Sequence, residues 1–214
     1  MFTGIVEELG TITNMTGNSE AMKLTISAQI VLSDVKLGDS IAVNGTCLTV
    51  TSFTEHSFTV DVMPETMQAT SLQHVNRGSH VNLERAMAAN GRFGGHFVSG
   101  HIDGTGTIIK KKKQANAVYY EIALSKPLLH YCLPKGSIAI DGTSLTIFNV
   151  SDTSITVSLI PHTLSESVLG MKNTGDIVNI ECDMIGKYVE RFLTTPAIQK
   201  NAVTESFLQE NGFM

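Results

Sequence analysis

Cys47, Ser144 and His101 combine reactive side chains with a distinctive sequence setting. A thiol or hydroxyl beside a base can add to an electron-poor carbon, and an imidazole moves protons near neutral pH. Taken alone, Cys47 also reads as a small buried hydrophobe, because thiol hydrolases need an orienting third group and an oxyanion hole that spacing cannot display. Its surroundings say more. The run Asn44-Gly45-Thr46-Cys47-Leu48-Thr49-Val50 recurs as Asp141-Gly142-Thr143-Ser144-Leu145-Thr146-Ile147. One pattern thus carries two sets of polar groups, Asn44 with Cys47 and Asp141 with Ser144. That suits two pockets of one shape which hold two molecules of the same ligand and treat them differently. Other candidates are weaker. Gly104-Thr105-Gly106 lacks the third glycine of a dinucleotide loop and opens no βαβ unit. His96 and His101 are an odd number of residues apart, on opposite faces of an extended chain, so no metal site is expected. Lys110 to Lys113 falls between two strand patterns and reads as a solvated loop.

The elements that must position these residues are themselves repeated. Ser40–Val50 overlies Ser137–Ile147, and the same offset places Phe58, Val60 and Val62 on Ile155, Val157 and Leu159. It also places Pro64 and Thr66 on Pro161 and Thr163, and Val81-Asn82 with Glu84 on Val178-Asn179 with Glu181. The opening Phe2-Thr3-Gly4 overlies Val98-Ser99-Gly100 with one residue of slippage. Matching Pro, Gly and Asn at a fixed offset marks a duplication, beyond shared alternation. Within each copy, runs such as Met22, Leu24, Ile26 and Phe58, Val60, Val62 alternate with polar residues, as strands with one buried face do. Turn pairs punctuate them, among them Asn44-Gly45, Asp103-Gly104 and Asp141-Gly142. No long helical pattern interrupts either copy, so two small closed antiparallel barrels are expected. After Gly186 the period changes: Tyr188, Val189, Phe192 and Leu193 have helical spacing, and Pro196 sits at a helix start behind Thr195. Ile198, Ala202, Val203, Phe207 and Leu208 continue the stripe towards Gly212. This helix, outside the repeat, either closes its own barrel or joins subunits.

Composition sets the outer limits. With 15 Lys plus Arg against 20 Asp plus Glu, the net charge of −5 offers no basic field for nucleic acid. No apolar run is long enough for a membrane helix. Three cysteines with no C-x-x-C pair fit neither a disulfide framework nor a four-thiolate zinc site. The first ten residues carry Glu7 and Glu8 and lack the pattern of a signal peptide, so a cytoplasmic location is expected.

Several long motifs, in order, resemble the riboflavin synthase family, lumazine-binding proteins with duplicated barrels. They are Met1-Phe2-Thr3-Gly4-Ile5-Val6-Glu7, Asn44 to Val50, Gly94-Gly95-His96-Phe97-Val98-Ser99-Gly100-His101-Ile102-Asp103, and Asp141 to Thr146. The resemblance implies an all-β chain of two six-stranded antiparallel Greek-key barrels, residues 1–96 and 97–186, followed by a trimerisation helix at 187–214. It implies a transferase that dismutates two molecules of 6,7-dimethyl-8-ribityllumazine. A four-carbon unit moves between them to give riboflavin and 5-amino-6-ribitylaminouracil, with no cofactor or metal. It further implies a homotrimer in which the N-terminal barrel of one subunit meets the C-terminal barrel of a neighbour. The sequence leaves open whether a lumazine synthase shell encloses that trimer.

Matched motif by motif, the resemblance assigns proton and nucleophile handling to Cys47, His101, Ser144, Thr146 and Asp183. It assigns substrate contact to Phe2, Gly4, Val6, Gly100 and Ile102 on the two leading segments. Ser40, Thr49, Met63, Glu65 and Thr66 follow in the first copy, and Lys135, Asp141, Ile160, His162 and Thr163 in the second. One departure is visible: Ile160-Pro161-His162-Thr163 has a histidine where many family members carry an acidic residue. A noncatalytic lumazine-binding antenna protein is the alternative. Such a protein should lose chemistry in one barrel, whereas both copies here keep Gly-Thr-x-Leu-Thr. A simple barrel interaction module would not explain why the copies diverge at Asn44/Asp141 and Cys47/Ser144.

Overall fold

The computed structural model describes residues 1–17, 21–194 and 205–213. The first copy folds as β1 (Glu8–Gly17), β2 (Met22–Ser27), β3 (Ser40–Val43), β4 (Thr46–Phe53), β5 (Ser57–Val62) and β6 (His80–Arg85). The second repeats it as β7 (Gly104–Gln114), β8 (Ala117–Ala123), β9 (Ser137–Ile140), β10 (Thr143–Val150), β11 (Ser154–Leu159) and β12 (Ile177–Cys182). Each set closes into an antiparallel barrel, in the order β1-β2-β5-β4-β3-β6 and its equivalent in the second copy. Helices α1 (Pro64–Ala69) and α3 (Pro161–Ser165) follow β5 and β11, and α2 (Lys126–Leu129) follows β8.

The alternation seen in sequence is the reason these strands curl into barrels. Leu24, Ile26, Phe58 and Val60 point inward and are fully buried, as are Ile122, Ile155 and Val157 in the second barrel. Each such side chain contributes about 1.5–3 kcal/mol by leaving water. Register shifts recur at matching places, between Ile12 and Asn14 and between Ile108 and Lys110, where a bulge sharpens the bend a small barrel needs.

Lys110–Lys113 corrects the sequence reading, for these residues form strand, paired from Lys110↔Glu121 to Lys113↔Val118. Lys110 and Lys112 face solvent. Lys111 occupies the half-buried alternate position, its ammonium donating to the carbonyls of Gly170 and Lys172 at 3.1 and 2.6 Å. A long aliphatic stem lets lysine fill such a place while its charge reaches polar groups.

The barrels meet about a pseudo-twofold axis. Phe2 pairs with Val98, its equivalent in the other copy, through amide-to-carbonyl bonds of 2.7 and 3.2 Å. Phe2, Ala42, Val98 and Ala139 make a small apolar core of their own. Around it the amides of two asparagines cross over: Asn82 donates to the carbonyl of Asp141 and Asn179 to that of Asn44, both at 2.8 Å.

The chain divides into two compact units, Met1–Met184 and Ile185–Met214. Within the described residues the tail carries α4 (Met184–Thr194) and α5 (Glu205–Glu210). Tyr188 and Phe192 stack at 6.4 Å and, with Val189 and Leu193, are exposed. Thr195, Pro196, Ile198, Ala202 and Val203 of the expected stripe lie outside the described residues. No described helix is long and apolar enough to cross a membrane.

Candidate active site

Two left-handed turns set up the site. Asn44 and Gly45 have φ of 46° and 80°, and Asp141 and Gly142 have 45° and 79°. Asn-Gly and Asp-Gly are the pairs that tolerate this conformation in two-residue hairpins. The turns launch β4 and β10, on which Cys47 and Thr49, and likewise Ser144 and Thr146, alternate onto one face. Ser40 pairs with Thr49 across the strands, so these two expected residues lie side by side.

In the second barrel, Gly4, Ile5, Val6, Thr143, Ser144, His162, Thr163, Glu166 and Ser167 line a cavity of about 180 Å³. Five residues expected at the substrate are thus brought together, with His162 and Thr163 supplied by α3. Gly4 and Val6 come from the leading segment of the first copy, because the carbonyl of Gly4 accepts the amide of Ser144 at 2.7 Å. Gly4 has φ of +77°, and a Cβ there would lie 2.7 Å from that of Ser144, so only glycine allows the approach.

Ser144 has a partner that sequence reasoning did not assign to it. Nδ1 of His96 lies 2.7 Å from the Ser144 hydroxyl oxygen. Burial lowers the His96 pKa below its ordinary value, opposed by the negative charge of nearby Asp183. A neutral imidazole is thereby poised to accept a proton from the hydroxyl, with a carboxylate to favour the imidazolium once formed. Nε2 of His96 is buried and has no hydrogen-bond partner among the described residues.

The first barrel repeats the plan with different groups. The amide of Cys47 donates to the carbonyl of Gly100 at 2.8 Å, the counterpart of Ser144 and Gly4. Ile102, two residues further on, lies beside the Gly45 turn. His101 is exposed, its amide held by the Ser99 hydroxyl at 3.2 Å. Glu65 and Thr66 ride on α1, while Met63 and Ile160 precede α1 and α3 as exposed apolar residues.

Two buried carboxylates clasp the leading segments. Glu84 accepts the amide and hydroxyl of Thr3, both at 2.7 Å, and the amide of Gly4 at 3.0 Å. Glu181 does the same for Ser99 and Gly100, at 2.6, 2.7 and 3.0 Å. Burial raises the Glu84 pKa, and the bonds from Thr3 and Gly4 pull it back.

Three expected ligand contacts need a different description. Phe2 and Asp141 are closed to solvent. Phe2 fills the apolar core between the barrels, and the Asp141 carboxylate is taken up by the amide of Asn179 at 2.8 Å. Lys135 places its ammonium 5.1 Å from the Phe148 ring centre and does not line the cavity around Ser144. The residues sequence reasoning passed over are His96, Glu84, Glu181, Asn82 and Asn179. Four of them were visible as matched pairs in the repeat.

Two barrels of one plan, each laying its leading segment against the Ser144 or Cys47 position of the other, define a duplicated barrel protein. The family model of the lumazine binding domain matches residues 3–86 and again 99–183. The chain is 60% identical to the riboflavin synthase of Bacillus amyloliquefaciens and 58% identical to that of Bacillus subtilis, over the whole of both chains in each case. Its fold is similar to that of LumP in complex with 6,7-dimethyl-8-(1'-D-ribityl) lumazine, with a TM-score of 0.77 and 26% identity over 85% of this chain and 98% of that one. The chain belongs to the riboflavin synthase family.

Proposed function

We infer that this chain converts two molecules of 6,7-dimethyl-8-ribityllumazine into riboflavin and 5-amino-6-ribitylaminouracil by passing a four-carbon unit from one to the other. The two products together contain the atoms of the two substrates, so the reaction consumes no oxidant, reductant or water. The observation that carries this reading beyond similarity is the Ser144 hydroxyl 2.7 Å from a neutral, buried imidazole, inside a pocket built jointly by both copies.

A base must remove a proton from the 7-methyl group of one lumazine, and a donor or nucleophile must act on the ring of the other. With His96 accepting its proton, the Ser144 oxygen is able to add to an electron-poor ring carbon or relay a methyl proton. Asp183 favours the positive charge that His96 then carries. Cys47 stands at the matching point of the first barrel, so the two bound ligands meet different groups. His101 and Thr146 supply further proton donors at the rims. The remaining pocket residues hold the ring and ribityl chain, and holding two rings face to face lowers the barrier by several kcal/mol through orientation alone.

The Ser144 and Cys47 sites belong to different barrels, which supports a homotrimer in which the N-terminal barrel of one subunit faces the C-terminal barrel of a neighbour. Both barrels keep their polar groups, and this favours the enzyme over an antenna protein. The test is direct: purified protein and 6,7-dimethyl-8-ribityllumazine, with nothing added, should give the riboflavin absorbance at one product per two substrates. A protein that binds one fluorescent lumazine and never turns it over is the antenna.

A further inference from the structure

The two copies of the junction differ at one linked pair of positions that the chemistry above leaves unused. In the first copy the side-chain oxygen of Asn44 accepts the amide of Asn82 at 2.8 Å. In the second, Oδ1 of Asp141 accepts the amide of Asn179 at the same 2.8 Å. The neutral amide therefore closes this junction as well as the carboxylate does. The acid adds Oδ2, which is fully buried and has no hydrogen bond among the described residues. Facing it at 3.5 Å is the ammonium of Lys172, itself only 20% exposed and anchored to the carbonyl of Ile177 at 2.6 Å. The repeat puts Val75 at the matching place in the first copy.

Stability does not explain this pair. Burying two charges costs several kcal/mol each, and neutral pairs of similar size often do as well or better. The first copy holds that neutral solution in Asn44 and Val75. What distinguishes the second copy is its neighbours. Asp141 opens the turn that leads to Ser144, and its partner Asn179 lies on β12 just before Glu181 and Asp183. The pair thus joins the turn carrying Ser144 to the strand whose end carries the charge that His96 senses. Lys172 also lines a separate cavity of about 530 Å³ between the barrels, which shares no residue with the pocket around Ser144. Its ammonium reaches the elements of that pocket through Asp141 and the carbonyl of Ile177, with no direct place in the pocket itself.

We propose that Lys172 is a positioning residue for the second pocket: its ammonium pairs with the buried Asp141 carboxyl group, and the pair locks the β9–β10 turn to β12 so that Ser144, His96 and Asp183 stand in register. The proposal rests on the roles given to Ser144 and His96 above.

The test compares Lys172→Met, Lys172→Arg, the double variant Asp141→Asn with Lys172→Val, and Ser144→Ala, by steady-state turnover of 6,7-dimethyl-8-ribityllumazine and thermal unfolding. Lys172→Met should lower kcat by about tenfold or more with KM within about twofold, the mark of a group that serves the transition state. Lys172→Arg should recover most of that loss. The double variant writes the first copy's neutral pair into the second, so it should melt within a few degrees of the parent and yet keep the low kcat. Parental kcat in the double variant overturns the proposal, because the charge then does nothing for turnover. So does Lys172→Met at parental kcat while Ser144→Ala is impaired. If Lys172→Met fails to fold, the double variant decides alone. Ser144→Ala at parental rate would instead overturn the reading of the pocket itself, and with it the role of Lys172.

Discussion

The hydroxyl of Ser144 and the Nδ1 atom of His96, 2.7 Å apart, meet because the stretch before Val98 runs beside the opening segment of the first copy, the His96 amide donating to the carbonyl of Thr3 at 3.1 Å. The pair gives the site a base that burial keeps neutral at physiological pH. Ser144→Ala and His96→Gln should each lower kcat by about 10²- to 10⁴-fold, the usual worth of a lost acid or base. Lumazine binding by fluorescence titration should stay within about threefold, since truncating a group that works in the transition state spares affinity. Loss of binding with unchanged kcat would assign both residues to holding the ligand.

The same burial makes His96 a source of pH-dependent stability. Its folded pKa lies below the ordinary value of 6.5, so on acidification the unfolded chain binds this proton first. The contribution to stability is full above pH 6.5 and is lost as pH falls from there through the folded value. Urea unfolding of the parent should show this decline, and His96→Gln should flatten that part of the profile.

Cys47→Ser should be milder than either, with kcat falling by about tenfold or less. The hydroxyl keeps the hydrogen-bonding capacity while losing the nucleophilicity of a thiolate. A loss near 10⁴-fold, about 5 kcal/mol at tenfold per 1.36 kcal/mol, would make the first pocket the seat of covalent chemistry.

Removing Glu84 should damage the second barrel's pocket, although Glu84 belongs to the first barrel. It holds Thr3 and Gly4, and Gly4 holds Ser144. Glu84→Ala strands two buried amides at about 1–3 kcal/mol each, and Glu181→Ala should do the same at Cys47. In a two-site ligand titration, each variant should weaken the pocket of the opposite barrel. Equal weakening of both pockets, or of the same barrel's pocket, would break this crossed assignment.

Truncation after Gly186 should leave folded barrels that run as monomers in sizing with light scattering and turn over poorly. Helix α4 presents Tyr188, Val189, Phe192 and Leu193 to solvent, an apolar face a trimer would cover. A truncated monomer with near-parental turnover would place the reaction within one chain.

The barrels were legible because duplication wrote the same alternation twice, as in Phe58, Val60 and Val62 and their partners Ile155, Val157 and Leu159. Four consecutive lysines hid their strand, since alternation needs a contrast between neighbours and Lys110–Lys113 has none. The matched Asn82 and Glu84, Asn179 and Glu181 were visible as signals without roles, because the roles lie in the partner segments they grip. In the sequence, His96 invites only a metal pairing with His101, which their odd spacing on an extended chain argues against. Its contact with Ser144 depends on how one copy is threaded over the other, which no local periodicity encodes.

The pairing of Phe2 with Val98 joins two points that the repeat makes the same point. A contact of a residue with its own counterpart is what a symmetric dimer makes on its axis, so the chain carries the imprint of an ancestor in which two separate, identical barrels associated. Fusing them into one polypeptide fixed a permanent partnership and ended the requirement that both members stay alike. Genetic linkage, on this view, is what allowed Cys47 and Ser144 to part company, and a symmetric binder of two identical molecules became able to tell one from the other.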